Sequence, residues 1–204
     1  MPKLLLSRFS LPRTPATGPY ELVNRATVLT FIGANGQTRK DKVTPQVMHP
    51  LAVQRLLSQA GIDDASIHAA ALLHDSVEDN LGETGQWLRG EIETTLGKDV
   101  LFMVDALTDD APKHLPRAQR KALQMARMAQ ASWAVKVIKL ADVVASMNEG
   151  PAPSWTVQYA AEYVEQRTRL VTEVLQSSSA TLAHGYQIAL AQPVWQAAIH
   201  ASTR

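Results

Sequence analysis

Apolar residues recur at helical spacing along nearly the whole chain. Leu22, Val23, Ala26, Leu29 and Ile32 share one face and predict a helix from Tyr20 to about Ile32, ended by Gly33 and the Gly36 region. Residues 1–18 carry several Pro, Ser and Thr with no period and read as a flexible N-terminal tail. A polar loop over 34–43 carries Arg39, Lys40 and Lys42. Thr44 as N-cap and Pro45 in the first turn open a helix that runs to about Ala60 and stops at Gly61; Pro50 inside it predicts a kink beside His49. Asp63 or Asp64 caps a central helix over 65–79. Further helices are predicted from Thr84 or Glu83 to Leu96, over Val100–Leu107, over 116–131, over 133–147 with Ser132 as cap, and from Trp155 to about Gln176. Ser177-Ser178-Ser179 breaks the chain before a last helix that Pro193 kinks or splits. No strand alternation and no internal repeat are visible. The class is all-α, a bundle whose ligands project inward from facing helices, with a main domain over 19–176 and a C-terminal helical extension, 177–204, packed on it.

The stretch from Ala69 to Asn80 joins an apolar half to a second half that holds His74, Asp75, Glu78 and Asp79. If the helix continues through it, His74 lies over Glu78 and Asp75 over Asp79. Acids at the end of a buried helix call for a partner, and a metal ion is one; a helix end emerging into water is the other reading of this stretch alone. Elsewhere, His49 precedes Pro50, and Lys139-Leu140-Ala141-Asp142 lies in another apolar helix. His49, His74, Asp75 and Asp142 make an N2O2 set suited to Mn, Fe, Co or Zn, and the absence of Cys excludes a thiolate site.

Composition narrows the class. A chain of 204 residues with 46% hydrophobic content can bury a core, and its net charge of +1 gives no electrostatic case for nucleic acid or an anionic membrane. Zero cysteines rule out disulfides and fit a reducing compartment, so a cytoplasmic location is expected. No apolar run approaches membrane-spanning length, and Leu4-Leu5-Leu6 is too short for a signal-peptide core. Lys3, Arg8 and Arg13 precede the first acid, Glu21, a pattern shared by transit peptides and plain tails.

His49-Pro50, His74-Asp75 with Glu78-Asp79, and Lys139-Leu140-Ala141-Asp142, in that order, resemble the HD-domain metal-dependent phosphohydrolases. More narrowly they resemble the hydrolase domain of RelA/SpoT-type alarmone enzymes and its stand-alone Mesh-type form. Arg39-Lys40-Asp41, Leu107-Thr108-Asp109-Asp110, the helix after Leu115-Pro116, and the spacing of Trp155 and Tyr163 extend the likeness over roughly 20–170. The resemblance implies an HD-domain helical bundle, one Mn2+ ion, and removal of the 3′-pyrophosphate from (p)ppGpp to give GDP or GTP. It places His49, His74, Asp75 and Asp142 at the metal, Glu78 and Asp79 at the catalytic acidic pair, and Arg39, Lys40, Lys121 and Tyr163 along the nucleotide. Lys139, Ser146 and Tyr159 are added as candidate substrate contacts. Ser146 stands where the family usually has Asn, and Tyr159 where it tends to have a basic residue; both places concern substrate rather than metal.

Each candidate also has an ordinary structural explanation. Arg39 and Lys40 can be solvated loop charges, Lys121 a surface residue, Lys139 a stem that snorkels past the core, and Tyr159 and Tyr163 a packed helix face. His68, His114, His184 and His200 lack a partner pattern and are assigned to surfaces or satisfied core positions; Met103, Met125, Met128 and Met147 are assigned to core filling. Three functional readings follow: a (p)ppGpp hydrolase, an HD phosphatase or pyrophosphatase for another nucleotide, and a nucleotide-binding regulatory protein with weak activity. The expected partner is a small-molecule nucleotide, without nucleic acid or membrane, and a homodimer is a candidate assembly.

Overall fold

The alanine-rich run forms the innermost helix of its unit. A computed structural model describes residues 11–80, 82–109 and 114–202. The described residues are helical; the pairing of Thr38 with Pro45 is an isolated antiparallel bridge, and no longer strand forms among them. They fall into two compact units, one holding residues up to 39 and 43–109, the other 40–42 and 114–202. Residues 1–10 of the expected tail and Asp110 of the expected acidic loop lie outside the described residues.

The first unit comprises α1 (Pro19–Gly33), α2 (Met48–Gln59), α3 (Ala65–Leu73), α4 (Glu83–Leu96) and α5 (Lys98–Leu107). Helix α3 packs on α1, α2 and α5. Residues 67 to 73 are all buried, so the helix shows no amphipathic period. Asp64 starts it, its Oδ1 accepting from the backbone N–H groups of Ser66 at 2.8 Å and Ile67 at 3.3 Å. Burying each leucine here, Leu72 and Leu73, contributes about 1.5–3 kcal/mol.

Two expectations for this unit need correction. The central helix does not run to 79; it ends at Leu73, and the following residues form turns. Its last carbonyls find other partners: His74 Nδ1–H donates to Ala71 at 2.7 Å, Ser76 N–H to Leu73 at 2.9 Å, and the Thr30 hydroxyl of α1 shares one proton between Leu72 at 2.9 Å and Ala26 at 2.8 Å. Three acids beyond Leu73 oppose continuation, because negative charge is unfavourable at the negative end of a helix dipole. The preceding helix does not start at Pro45 but at Met48. Its expected first turn is used otherwise: Arg39 N–H donates to the Thr44 carbonyl at 2.7 Å and Gln46 N–H to Gln37 at 3.0 Å. Pro50 therefore falls in the first turn, where a missing N–H costs no helical bond, and no kink is required at His49.

The second unit comprises α6 (Arg117–Gln130), α7 (Trp133–Asn148), α8 (Val157–Leu170), a wider turn over Val171–Leu175, a tight turn over Gln176–Ser178, α9 (Ala180–Leu190) and α10 (Pro193–Ser202). Helix α7 is buried almost throughout and packs on α9, while α10 packs on α8. Ser132 caps α7 as the sequence predicts, its hydroxyl accepting from Val135 N–H at 3.4 Å. The helix expected from Trp155 starts at Val157, after the Thr156 cap, and is α-helical only to Leu170. Pro193 splits the last helix into α9 and α10. Trp195, fully buried on α10, donates its indole N–H to the Met147 carbonyl at 2.9 Å and so occupies one of the open carbonyls at the end of α7.

Candidate functional site

In the first unit, the end of α3 and the start of α2 bring two imidazoles to one carboxylate. His49 and His74 are buried, with ring centres 5.3 Å apart. With Nδ1–H given to Ala71, the neutral form of His74 presents its lone pair at Nε2, the tautomer a metal-binding histidine needs. Asp75 Oδ1 lies 3.2 Å from His74 Nε2, and its Oδ2 lies 3.8 Å from His49 Nε2. Two nitrogen donors thus converge on one carboxylate, as the chemistry of a borderline divalent ion requires.

Glu78 and Asp79 follow on the turn, and both are exposed. Asp79 N–H donates to the Asp75 carbonyl at 2.9 Å, so one loose helical turn persists beyond the helix end. Glu78 Oε2 accepts from the backbone N–H of Asp109 at 2.8 Å, which ties the acid to the chain beyond α5. Asp79 Oδ2 accepts from Gln46 Nε2 at 2.9 Å. Desolvation of its carboxyl group, then the neighbouring Asp75 and Glu78 charges, push the Asp79 pKa up to about 6, against the opposing pull of Arg39 and His74. Although the residue as a whole is exposed, the packing around the carboxyl group itself accounts for the desolvation. Asn80 holds the end of the turn, its amide donating to Ser76 at 2.9 Å and Gly33 at 3.0 Å and accepting from Gln37 at 3.3 Å. Arg39 Nη1 donates to Gln46 Oε1 at 3.2 Å.

In the second unit, Asp142 is buried in α7, and Lys139 Nζ lies 2.7 Å from its Oδ2. The Lys139 head is buried with its stem and does not snorkel to water. Ser146 Oγ points back to Asp142 Oδ1 at 3.4 Å, a long contact. Asn148, two positions further on, instead accepts from Gln192 Nε2 at 3.3 Å.

A second cluster in this unit is aromatic and cationic. Trp155 packs against Tyr159 and Tyr163 at 4.8 and 4.9 Å between ring centres. Lys40 Nζ sits 4.9 Å from the Trp155 ring and 5.7 Å from the Tyr163 ring, within cation–π range, and 3.9 Å from Glu149. Burial pushes the Tyr163 phenol up, but the cations of Arg167 and Lys40, with a hydrogen bond from Arg167, outweigh it and hold its pKa below the usual tyrosine range. Lys121, Tyr159 and Tyr163 line a groove of about 1010 Å3 between α6 and α8, together with Arg117 and Arg167. Lys121 Nζ donates to Gln124 Oε1 at 3.0 Å, and the Arg117 guanidinium lies 4.5 Å from the Tyr159 ring centre.

Residues 26–176 match the HD domain family. The chain belongs to that family. It is similar to the guanosine-3′,5′-bis(diphosphate) 3′-pyrophosphohydrolase MESH1 of Xenopus tropicalis, 39% identical over 140 residues, which cover 66% of this chain and 74% of the relative. The human protein of the same name is 36% identical over the same shares. A solved structure described as a metazoan ortholog of SpoT that hydrolyzes ppGpp superposes with a TM-score of 0.76 at 30% identity, covering 88% of this chain and 99% of that one. The HD-domain fold expected from the sequence is therefore the fold of this chain.

Sequence reasoning did not single out Gln46, Arg117, Arg167 or the Asp109 N–H. Arg167 had a readable signal, because it lies four residues after Tyr163 on one helix face. Arg117 and a backbone N–H had none, since their partners are remote in sequence, and Gln46 had none because Asp79 is thirty-three positions on and Arg39 lies across an irregular loop. Two of the other histidines fit the ordinary assignment: His68 Nε2–H donates to the Ile62 carbonyl at 2.7 Å, and His200 Nδ1–H to the Gln196 carbonyl at 2.7 Å.

Proposed function

We propose that this HD-domain protein hydrolyses (p)ppGpp, removing the 3′-pyrophosphate to give GDP or GTP and pyrophosphate. The observation that carries the reading is the convergence of the His49 and His74 Nε2 atoms on Asp75, one turn before the Glu78-Asp79 pair. Relatives bearing the name of that activity cover most of the chain's length.

The donor chemistry fits a divalent ion. The proposed ligands are His49, His74, Asp75 and Asp142, the set the resemblance implies: His49 and His74 are buried with Asp75 between them, and Asp142 is a buried carboxylate of its own unit. Two nitrogens and two carboxylates suit Mn2+. When bound, such an ion supplies an acidified water and Lewis-acid polarisation of a phosphoryl oxygen. The chain's own groups supply the rest. Asp79, whose carboxyl pKa desolvation raises above the ordinary value, is one proton-handling group. Glu78, anchored by the Asp109 N–H, is the second proton-handling group. Arg39, Lys40 and Lys121 offset substrate charge, and the Tyr159 and Tyr163 rings offer stacking surface for a base.

A second reading, an HD phosphatase or pyrophosphatase for a different nucleotide, is favoured by one observation. Ser146 offers a single hydroxyl, turned toward Asp142 at a long 3.4 Å, where the resemblance expects an Asn amide with its paired donor and acceptor, so a contact to substrate is lost. Anion-exchange analysis of products, with ppGpp, pppGpp and other nucleotides supplied with Mn2+, decides the matter. GDP or GTP with pyrophosphate is expected. Release of single phosphates, or turnover of another nucleotide beside inert ppGpp, would replace the first reading by the second.

A further inference from the structure

We infer that Gln46 is a positioning residue for Asp79, joining the acid to Arg39 through one side-chain amide. The inference rests on the assignment of Asp79 to the proposed hydrolysis. Gln46 Nε2 donates to Asp79 Oδ2 at 2.9 Å, and its Oε1 accepts from Arg39 Nη1 at 3.2 Å. The amide can sit only one way round. Reversing it would set NH2 against a guanidinium that has only donors, and oxygen against a carboxylate that only accepts. A donor–acceptor chain from guanidinium to carboxylate therefore has a fixed direction.

The backbone beneath Gln46 is fixed as well. Its N–H donates to the Gln37 carbonyl at 3.0 Å, beside the Thr38–Pro45 bridge. Gln37 in turn sends its own amide to Asn80 at 3.3 Å and to Gly33 at 3.0 Å. The loop over 37–46 thus grips the acidic turn at two adjacent residues, Asp79 through Gln46 and Asn80 through Gln37. An exposed aspartate on a turn would otherwise sample several rotamers. The Gln46 bond selects one and leaves the second carboxylate oxygen for proton transfer. Arg39, a proposed phosphate contact, is on the same chain of bonds, so charge recognition and proton chemistry share one support.

Gln46→Met keeps length and volume but removes donor and acceptor. Gln46→Glu keeps an acceptor for Arg39 and sets a carboxylate against Asp79. The purified full chain is assayed with ppGpp and Mn2+ for kcat and KM, with thermal midpoint and bound metal measured alongside. Gln46→Met is expected to lower kcat about tenfold with KM little changed, the signature of lost orientation, and Gln46→Glu to lower it further; midpoint and metal content stay at wild-type values. A raised KM with intact kcat, or wild-type kinetics, overturns the role. An independent arm needs no turnover: in the metal-free protein, Asp79→Ala should shift the Gln46 side-chain amide resonances and speed their exchange with water. Unchanged Gln46 amide signals overturn the inference whatever the substrate is. An inactive wild type with shifted amide signals would count against the proposed hydrolysis and uphold the Gln46–Asp79 link.

Discussion

A β-carbon at Gly85 would lie 1.9 Å from the Asn80 carbonyl oxygen. The first turn of α4 therefore rests directly on the backbone of the turn that carries Glu78 and Asp79. The next atoms met, the Asn80 carbonyl carbon at 3.1 Å and the Val77 oxygen at 3.4 Å, are also backbone, so no flexible side chain can give way. In an exposed helix, Gly→Ala gains up to about 1 kcal/mol. Here the sign reverses. Gly85→Ala should lower stability by about 1–3 kcal/mol, the usual cost of overpacking, read as a lower urea midpoint, and should reduce turnover by moving Asp79. An unchanged midpoint would contradict the close approach.

Asp79 also gives the stability a pH dependence. Its folded pKa, about 6, lies above the ordinary 3.8. Between these values the folded protein binds a proton that the unfolded chain has released, so stability falls as pH rises. This group's contribution is full below about 3.8 and is lost as pH passes about 6. Metal-free wild type should therefore lose stability relative to Asp79→Asn across that window. Urea midpoints of both proteins from pH 4 to pH 7 test it, and parallel profiles would show that Asp79 titrates normally.

Much of this architecture is legible before any coordinates. The Asp64 and Ser132 caps, the Gly97 stop and the split at Pro193 are local signals, and local signals set helix ends. The ordered motif from His49 to Asp142 is legible as membership of the HD domain family, and the metal and acid–base roles of its residues are what we propose. The early end of α3 is less so, because nothing at 74–80 is a Gly or Pro. There a cluster of acids opposes continuation, and Thr30, forty-two positions away, shares its one hydroxyl proton between the Leu72 and Ala26 carbonyls. Lys139 likewise reads from sequence as a snorkelling stem in an apolar helix; only the position of Asp142 one turn on turns it into a buried ion pair. Gln46 is invisible in sequence because its value lies wholly in two partners that the fold brings to it.

The Lys139–Asp142 pair gives a test of metal ligation that needs no substrate. Both groups are buried, and their 2.7 Å contact pairs opposite charges away from water. Lys139→Met fills similar space but removes the cation paired with the Asp142 carboxylate, and breaking a buried pair commonly costs about 3–5 kcal/mol. If Asp142 is a ligand, a divalent cation supplies positive charge in its place. The thermal midpoint of Lys139→Met should fall in the metal-free protein and rise more on adding Mn2+ than that of the wild type, since a ligand that binds only the folded state stabilises it. An equal Mn2+ response in both proteins would separate Asp142 from the metal.

The last expectation concerns the groove between α6 and α8. Tyr159 occupies a place where the resembling enzymes tend to carry a basic residue, but positive charge is not missing there. Arg117, from α6, lays its guanidinium 4.5 Å from the Tyr159 ring centre and reaches Glu162 at 3.6 Å. The Glu162 pair is partly exposed and contributes little by itself, so Arg117 can exchange that partner for a substrate phosphate while remaining stacked on the ring. Arg is suited to this because its planar fork binds phosphate bidentately and stacks at once. Arg117→Ala should raise KM for ppGpp about tenfold, the scale of one lost hydrogen bond to a charged group, with kcat nearly unchanged. Tyr159→Ala should do the same by removing the platform, whereas Tyr159→Phe, which keeps the ring, should be close to wild type. Steady-state kinetics on the three variants at two salt concentrations checks this. A fall in kcat at constant KM would move Arg117 from substrate binding to the chemical step and remove the groove from the recognition of the nucleotide.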